Sequence, residues 1–354
     1  MSFDRQVMFW IAALALMAAL LWLLGEILLP FVVGMALAYL LDPVANRLER
    51  YGMPRIVAAF AIMGLFVLAF ILLVLLIAPM LGAQLAAFIN NVPGYVNRLQ
   101  HLLAESNLPW LQRIGLESLK GPEKGIGDLV SQGMGWLTTF LASLWSGGRT
   151  LVSIFSLAVV TPVVAFYLIC DWHRMVGTID TWVPVPYRET VRQLSREIDA
   201  AIAAFVRGQT AVCLLLGSFY ALSLSLVGLN FGLLIGLVSG IISFIPYVGS
   251  MTGMVLAMGV AVAQFWPDWS LILTVLGIFL VGQFIEGNVL APKLVGESVG
   301  LHPVWVMFAM FAFGYLFGFV GLLLAVPLAA AVRVIVQFSL GHYQQSALYR
   351  GEQG

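Results

Sequence analysis

The chain has 354 residues, 61% of them hydrophobic and 10% charged, with 17 Lys and Arg balanced by 17 Asp and Glu. Water-soluble domains run at about 45–50% apolar and about 25% charged residues, so a fully solvated surface is excluded. Zero net charge provides no basic field for nucleic acid, and two cysteines in or beside apolar runs give neither a disulfide framework nor a thiolate metal site.

Five runs contain no Asp, Glu, Lys or Arg: 7–25, 56–81, 150–170, 208–267 and 298–332. Each is near or beyond the roughly 20 residues that cross a bilayer as a helix. They are apolar on every face, where barrel strands would alternate over about ten residues, so the spanning element is the helix. The fold class expected is an all-α polytopic integral membrane protein. Arg5 ahead of an apolar run imitates a secretory leader, but the run is long and a second, Ile27 to Leu41, follows at once. A retained first span is expected.

In chain order, the expected parts are membrane segments at 1–81, an extracytoplasmic helical segment at 82–148 and a span with a cytoplasmic amphipathic helix at 149–207. A hairpin-bearing core at 208–338 and a cytoplasmic tail at 339–354 complete the chain. Arg5, Arg47, Arg50, Arg55, Arg174, Arg188, Arg192, Arg196, Arg207, Lys293, Arg333 and Arg350 would face the cytoplasm. Arg98, Arg113, Lys120, Lys124 and Arg149 would lie outside, which puts both termini in the cytoplasm.

In the outside segment Leu85, Phe88, Ile89, Val92, Val96, Leu99 and Leu103 recur at helical spacing, as in a helix lying on the membrane or packing on neighbouring subunits. Gly121, Pro122, Gly125 and Gly127 then mark a turn. After the next span, Val191, Leu194, Ile198, Ile202 and Phe205 share one face, and Arg188, Arg192 and Arg196 follow each other at intervals of four. That pattern suits a helix on the cytoplasmic leaflet with its basic stripe near anionic headgroups, or equally a solvated face.

The sequence FIPYVGS from Phe244 interrupts an apolar run with a proline and, three residues later, a glycine. The flanking segments are short for independent spans and fit a hairpin that enters from outside and returns. A second hairpin is expected from Pro303 to Leu316, turning at 317–319 among Gly314, Gly318 and Gly321, and returning through Leu322 to Val332 from the cytoplasmic side. Two interrupted hairpins of opposite polarity are the signature of an inverted-repeat secondary transporter with its site near the midplane. Gly232, Gly236 and Gly240, and Gly314 and Gly318, recur every four residues and permit close helix approach, either for packing or for sliding.

Between the hairpins, a helix from Trp269 to Ile285 leads to Glu286 and Asn288. A carboxylate inside a bilayer is costly unless protonated, paired or hydrated, so Glu286 is the first candidate for a coupling or substrate-contact group. Its alternative is a structural role at a cytoplasmic helix end, paired with Lys293 or capping backbone. Gln283 and Asn288 serve either the site or helix packing. Pro246, Gly249 and Ser250 at the first hairpin tip complete the candidate site.

Four blocks jointly resemble the autoinducer-2 exporter family of bacterial transporters over nearly the whole chain: LPFVVGMALAYLLDP from Leu29 with MPR ending at Arg55; TPVVAFYLICDWHRM from Thr161 with VPVPYRE; GLLIGLVSGIISFIPYVGSMTG from Gly232; and GQFIEGNVLAPKLVGESVGLHP from Gly282 with GLLLAVPLAA. The family pattern is matched at Pro246, Gly249, Gln283, Glu286, Asn288, Pro292, Gly296, His302, Pro303 and Pro327, and only in placement and character over 82–148. The resemblance implies about eight membrane segments in a bacterial inner membrane, homo-oligomers with a pentamer as the expected assembly, and an elevator-like movement of the hairpin-bearing part. It implies export of the quorum-sensing signal autoinducer-2 or, alternatively, exchange of sodium or lithium for protons. A non-transporting scaffold that presents the 82–148 segment to partners is the third reading.

No enzyme and no cofactor are expected. Gly296-Glu297-Ser298-Val299-Gly300 spells a nucleophile elbow, but the elbow needs a strand–turn–helix context that an all-helical membrane chain does not provide. No phosphate loop or zinc-ligand spacing occurs.

Overall fold

The structure is a computed structural model that describes residues 25–105, 148–246, 248–295, 300–345 and 347–350. The first expected span up to residue 24, most of the segment after Glu105, Tyr247 and residues 296–299 of the elbow-like string lie outside the described residues. Among the described residues there is no strand, and seven helices are long and apolar enough to cross a membrane. The all-α polytopic class follows from the residues up: apolar side chains that contribute lipid-facing surface, and backbone groups that only a helix satisfies internally.

The elements in order are α1 (Gly25–Arg50), α2 (Arg55–Glu105), α3 (Gly148–Trp182), α4 (Arg188–Leu226), α5 (Gly232–Ile242), α6 (Val248–Phe265), α7 (Trp269–Ile285), a π-helix (Glu286–Val295), α8 (Pro303–Gln345) and a last turn, α9 (Ala347–Arg350). They form two compact units, one from Met1–Leu68, Ser156–Ala211 and Val289–Gly354, the other from Ala69–Phe155 and Val212–Asn288.

The first unit has a core of Leu37, Ala38, Ala45, Ala59, Ile62, Met63, Ala165 and Ile169. Small residues let α1 and α3 approach closely: a Cβ at Gly34 would stand 2.9 Å from the Val164 side chain and 3.0 Å from the Thr161 carbonyl. Thr161 Oγ1 donates to the Pro30 carbonyl at 3.2 Å. Arg55, at the start of α2, donates to the Ile169 carbonyl at 2.7 Å, to Asn46 Oδ1 at 3.1 Å, and to Asp42 and Glu49 at 3.0 Å each. One planar fork thus joins α1, α2 and α3, which is the geometry guanidinium supplies and ammonium does not.

The same unit contains the second expected hairpin. Within α8, Gly318 has φ 59° and ψ −137°, outside helical geometry. The chain folds back there, because a Cβ at Gly314 would lie 2.8 Å from Leu322, and one at Gly321 would meet the Phe313 carbonyl. Residues eight apart in a straight helix would stand about 12 Å apart.

Two expected boundaries are not breaks. Helix α2 runs 51 residues without interruption, so the span ending at Leu81 and the start of the 82–148 segment are one helix. Continuous helical hydrogen bonding outlasts the change from all-apolar to amphipathic sequence. Likewise α4 is one helix of 39 residues, so the expected surface helix at 188–207 is the first part of the following span. Its basic stripe is engaged by carboxylates: Arg192 binds both Asp180 oxygens at 2.8 and 2.7 Å, and Arg196 reaches Glu189 at 3.2 Å.

Candidate transport site

The site is built in the second unit from α4, α5, α6 and α7. The turn from α4 to α5 is tight because Gly228 (φ 77°) and Phe231 (φ 62°) take left-handed backbone. It is held by Gln264, whose Oε1 accepts from Asn230 N at 2.8 Å and whose Nε2 donates to the Gly228 carbonyl at 2.9 Å. Gln84 Oε1 accepts from Leu234 N at 3.2 Å, answering one of the free N–H groups at the start of α5.

Helix α5 then lies antiparallel against α4 along the Gly232, Gly236 and Gly240 seam. A Cβ at Gly232 would stand 2.8 Å from Leu224 backbone; at Gly236 it would strike Ala221; at Gly240 it would strike Gly217 and approach the Cys213 carbonyl to 2.9 Å. These glycines are packing residues, each replacing a methyl group with neighbouring backbone.

The first expected hairpin is present: α5 ends at Ile242, the turn begins at residues 243–246, and α6 begins at Val248. Gly249 abuts Ser243 and Gly253 abuts Ser239 with no room for a Cβ. The two serine hydroxyls are directed along their own helix, Ser239 to the Ile235 carbonyl at 2.6 Å and Ser243 to the Ser239 carbonyl at 2.8 Å. Pro246 sits half-buried in the reversal, and Ser250, one turn further on, is 2% exposed.

Helix α7 is capped by Asp268, whose carboxylate accepts from Ser270 N at 3.0 Å and Leu271 N at 3.4 Å. Phe279, Gly282, Gln283 and Glu286 then share one face by the i, i+3, i+4, i+7 rule. Gln283 Nε2 donates to Ser250 Oγ and, at 3.0 Å, to Glu286 Oε2. The three residues form a chain from the hairpin arm to the end of α7.

The Glu286 carboxylate is half-buried and accepts from the Gln283 amide, and it forms no ion pair among the described residues. Tyr220 is 0% exposed, stacks on Phe279 with ring centroids 4.6 Å apart and 22° between planes, and rests over Gly282, where a Cβ would fall on its hydroxyl.

At Glu286 the helix widens into a π-helix of ten residues ending at Val295. Pro292 lies inside it, lacks an N–H and would collide in an α-turn with the carbonyl four residues back, so the wider turn suits it. Asn288 is exposed and directs its amide to the Phe284 carbonyl at 3.0 Å.

Of the residues expected at the site, Ser250, Gln283 and Glu286 are joined directly. Gly249 closes the hairpin tip, Pro246 stands in the reversal and Asn288 trims the widened helix. Pro303 begins α8, and Pro327 is buried within it. Tyr220 was invisible in the sequence reading, because an aromatic residue in a long apolar helix carries no signal until its neighbours across the fold are known.

A family model described as AI-2E family transporter matches residues 11–341. The chain is 30% identical over 316 residues to YrrI of Bacillus subtilis, which carries a transport-protein name, covering 89% of this chain and 87% of that one. It is 28% identical over 339 residues to the Escherichia coli K12 protein PerM, named a permease, with 92% of each chain covered. To the Escherichia coli K12 AI-2 transport protein TqsA it is 26% identical over 320 residues, covering 90% and 87%. A multi-span helical membrane chain with a part-buried polar chain between a broken hairpin and its neighbouring helix, matched along nearly its whole length by that family model, belongs to the AI-2E family of membrane transporters.

Proposed function

We propose that this transporter exports a small, uncharged polar molecule, of which autoinducer-2 is the candidate, across the bacterial inner membrane by an elevator-like movement of its hairpin-bearing part. The observation that carries this reading is the Ser250–Gln283–Glu286 chain, which offers hydroxyl, amide and carboxylate groups to a solute and includes no Lys or Arg. An anion would meet one carboxylate and no counter-charge there. Both termini face the cytoplasm, copies assemble as a homo-oligomer, and the two hairpins enter from opposite sides. A relative named as an AI-2 transport protein supports the cargo.

Monovalent cation/proton exchange is the second reading, favoured by the carboxylate itself. Against it, hard-cation sites gather several oxygen ligands, and among the described residues no group of three or more acidic, His or Cys side chains converges. Sealed vesicles separate the two. Loaded autoinducer-2 should leave wild-type vesicles faster than Glu286→Gln vesicles, while a pH dye should stay silent on adding sodium or lithium. A dye response with no solute efflux selects the antiporter.

A further inference from the structure

Helix α3 is longer than a bilayer is thick. Its charge-free stretch ends at Cys170, and the helix continues from Asp171 to Trp182, about 18 Å further at 1.5 Å rise per residue. Helix α4 likewise runs from Arg188 to Arg207, about 30 Å, before its own charge-free stretch begins at Gly208. The turn between them therefore stands clear of the hydrocarbon layer, braced by Arg192 on Asp180. Apolar side chains left exposed there face water, and lipid does not account for them.

Asp180 turns toward α4, and the opposite face of α3 is open. Tyr167, Asp171, Arg174, Met175, Ile179 and Trp182 fall on that side by the three-and-four spacing of a helix, and they line a groove of about 550 Å³. Every described residue in its lining belongs to α3, so the groove has one wall. Tyr167, Met175, Ile179 and Trp182 are all exposed, Trp182 at 75%. Asp171 and Arg174, of opposite charge and one turn apart, form no ion pair among the described residues.

We propose that this face of α3 is the contact surface between copies of the chain, with the α3 stripes of neighbouring copies packed side by side. The proposal rests on the homo-oligomer proposed above and supplies the surface that joins it. Copies in one bilayer share orientation and depth, so each brings the same stripe to the same height. Asp171 of one copy then lies within a helical turn of Arg174 on the next, while Met175, Ile179 and Trp182 meet their own equivalents. A second copy matches this mixture of apolar surface and paired opposite charges by symmetry alone. Three-and-four spacing is also the spacing at which near-parallel helices interlock.

The test is disulfide cross-linking of the full chain in native membranes, with Cys170 and Cys213 replaced by serine. Under a mild oxidant, Met175→Cys and Ile179→Cys should each give a product of twice the chain mass, and Leu226→Cys, exposed at the far end of α4, should not. Adding Asp171→Arg or Arg174→Asp alone to Met175→Cys should lower the cross-linked fraction about fivefold, the equivalent of about 1 kcal/mol of lost attraction. Both charge changes in one chain should restore it, a rescue that misfolding would not produce. An oligomeric mass by native mass spectrometry, with no cross-link at Met175→Cys or Ile179→Cys or with no charge rescue, would overturn this surface and leave the homo-oligomer standing. A cross-linked product that is not a multiple of the chain mass would also overturn it. A monomeric mass in both detergent and lipid would overturn the surface and the homo-oligomer together.

Discussion

Arg55 shows how one side chain fixes several helices where the chain can hold charge. Its guanidinium meets Asp42, Asn46, Glu49 and the Ile169 carbonyl, with only 18% of the side chain exposed. Arg55→Ala should cost about 1–2 kcal/mol, since Asp42 and Glu49 regain water while the Ile169 carbonyl does not. Arg55→Lys should recover less than half of that, because a point charge cannot serve the fork. Melting temperatures of the two purified variants check both expectations. At the same scale, Glu286 could be singled out from sequence because it is a rare acid in an apolar stretch. The sequence also puts Ser250 and Gln283 in the same candidate site, but the direct bond between these two residues, 33 positions apart, becomes visible only in the fold.

Packing at the helix scale divides the glycines into those that are needed and those that are not. Gly240 faces the Gly217 backbone, so Gly240→Val should destabilise by about 1–3 kcal/mol through overpacking. Gly64 has open space around its missing Cβ, so Gly64→Ala should be neutral or stabilising by up to about 1 kcal/mol. Gly318 also has open space but sits at φ 59°, so alanine there should cost about 1–2 kcal/mol from backbone strain alone. Thermal or denaturant unfolding of the three variants in detergent orders them. The π-helix gives a different outcome: Pro292→Ala returns a backbone donor and allows an α-turn, rotating whatever follows. Transport should fall while the melting temperature holds or rises.

Both hairpins were legible in the sequence because proline and glycine break a helix for reasons that hold anywhere: a missing N–H, a ring clash or a left-handed φ. The α7 boundary at Ile285 was legible for a similar reason, since it coincides with the end of the all-apolar run. What could not be read was continuity. Helix α2 passes from apolar to amphipathic sequence and α4 from amphipathic to apolar without ending, because α-helical hydrogen bonding is indifferent to which solvent the side chains meet. The π-turn was equally hidden, as Pro292 marks a disturbance but not its form.

For the molecule as a whole, the orientation we propose from the Lys and Arg distribution puts the turn at 183–187 inside and the turn at 227–231 outside. Tyr187→Cys and Leu226→Cys occupy positions 65% and 86% exposed, in a background where Cys170 and Cys213 are replaced by serine. A membrane-impermeant maleimide should label Leu226→Cys in intact cells and Tyr187→Cys only after permeabilisation.

The most direct measurement is autoinducer-2 efflux from sealed vesicles containing the wild-type protein, Glu286→Gln or Ser250→Ala. Wild type should empty the vesicles, Glu286→Gln should lose at least nine-tenths of the rate, and Ser250→Ala should lose a smaller part, all three with comparable melting temperatures. Equal efflux from all three would contradict a solute or coupling site at Ser250, Gln283 and Glu286.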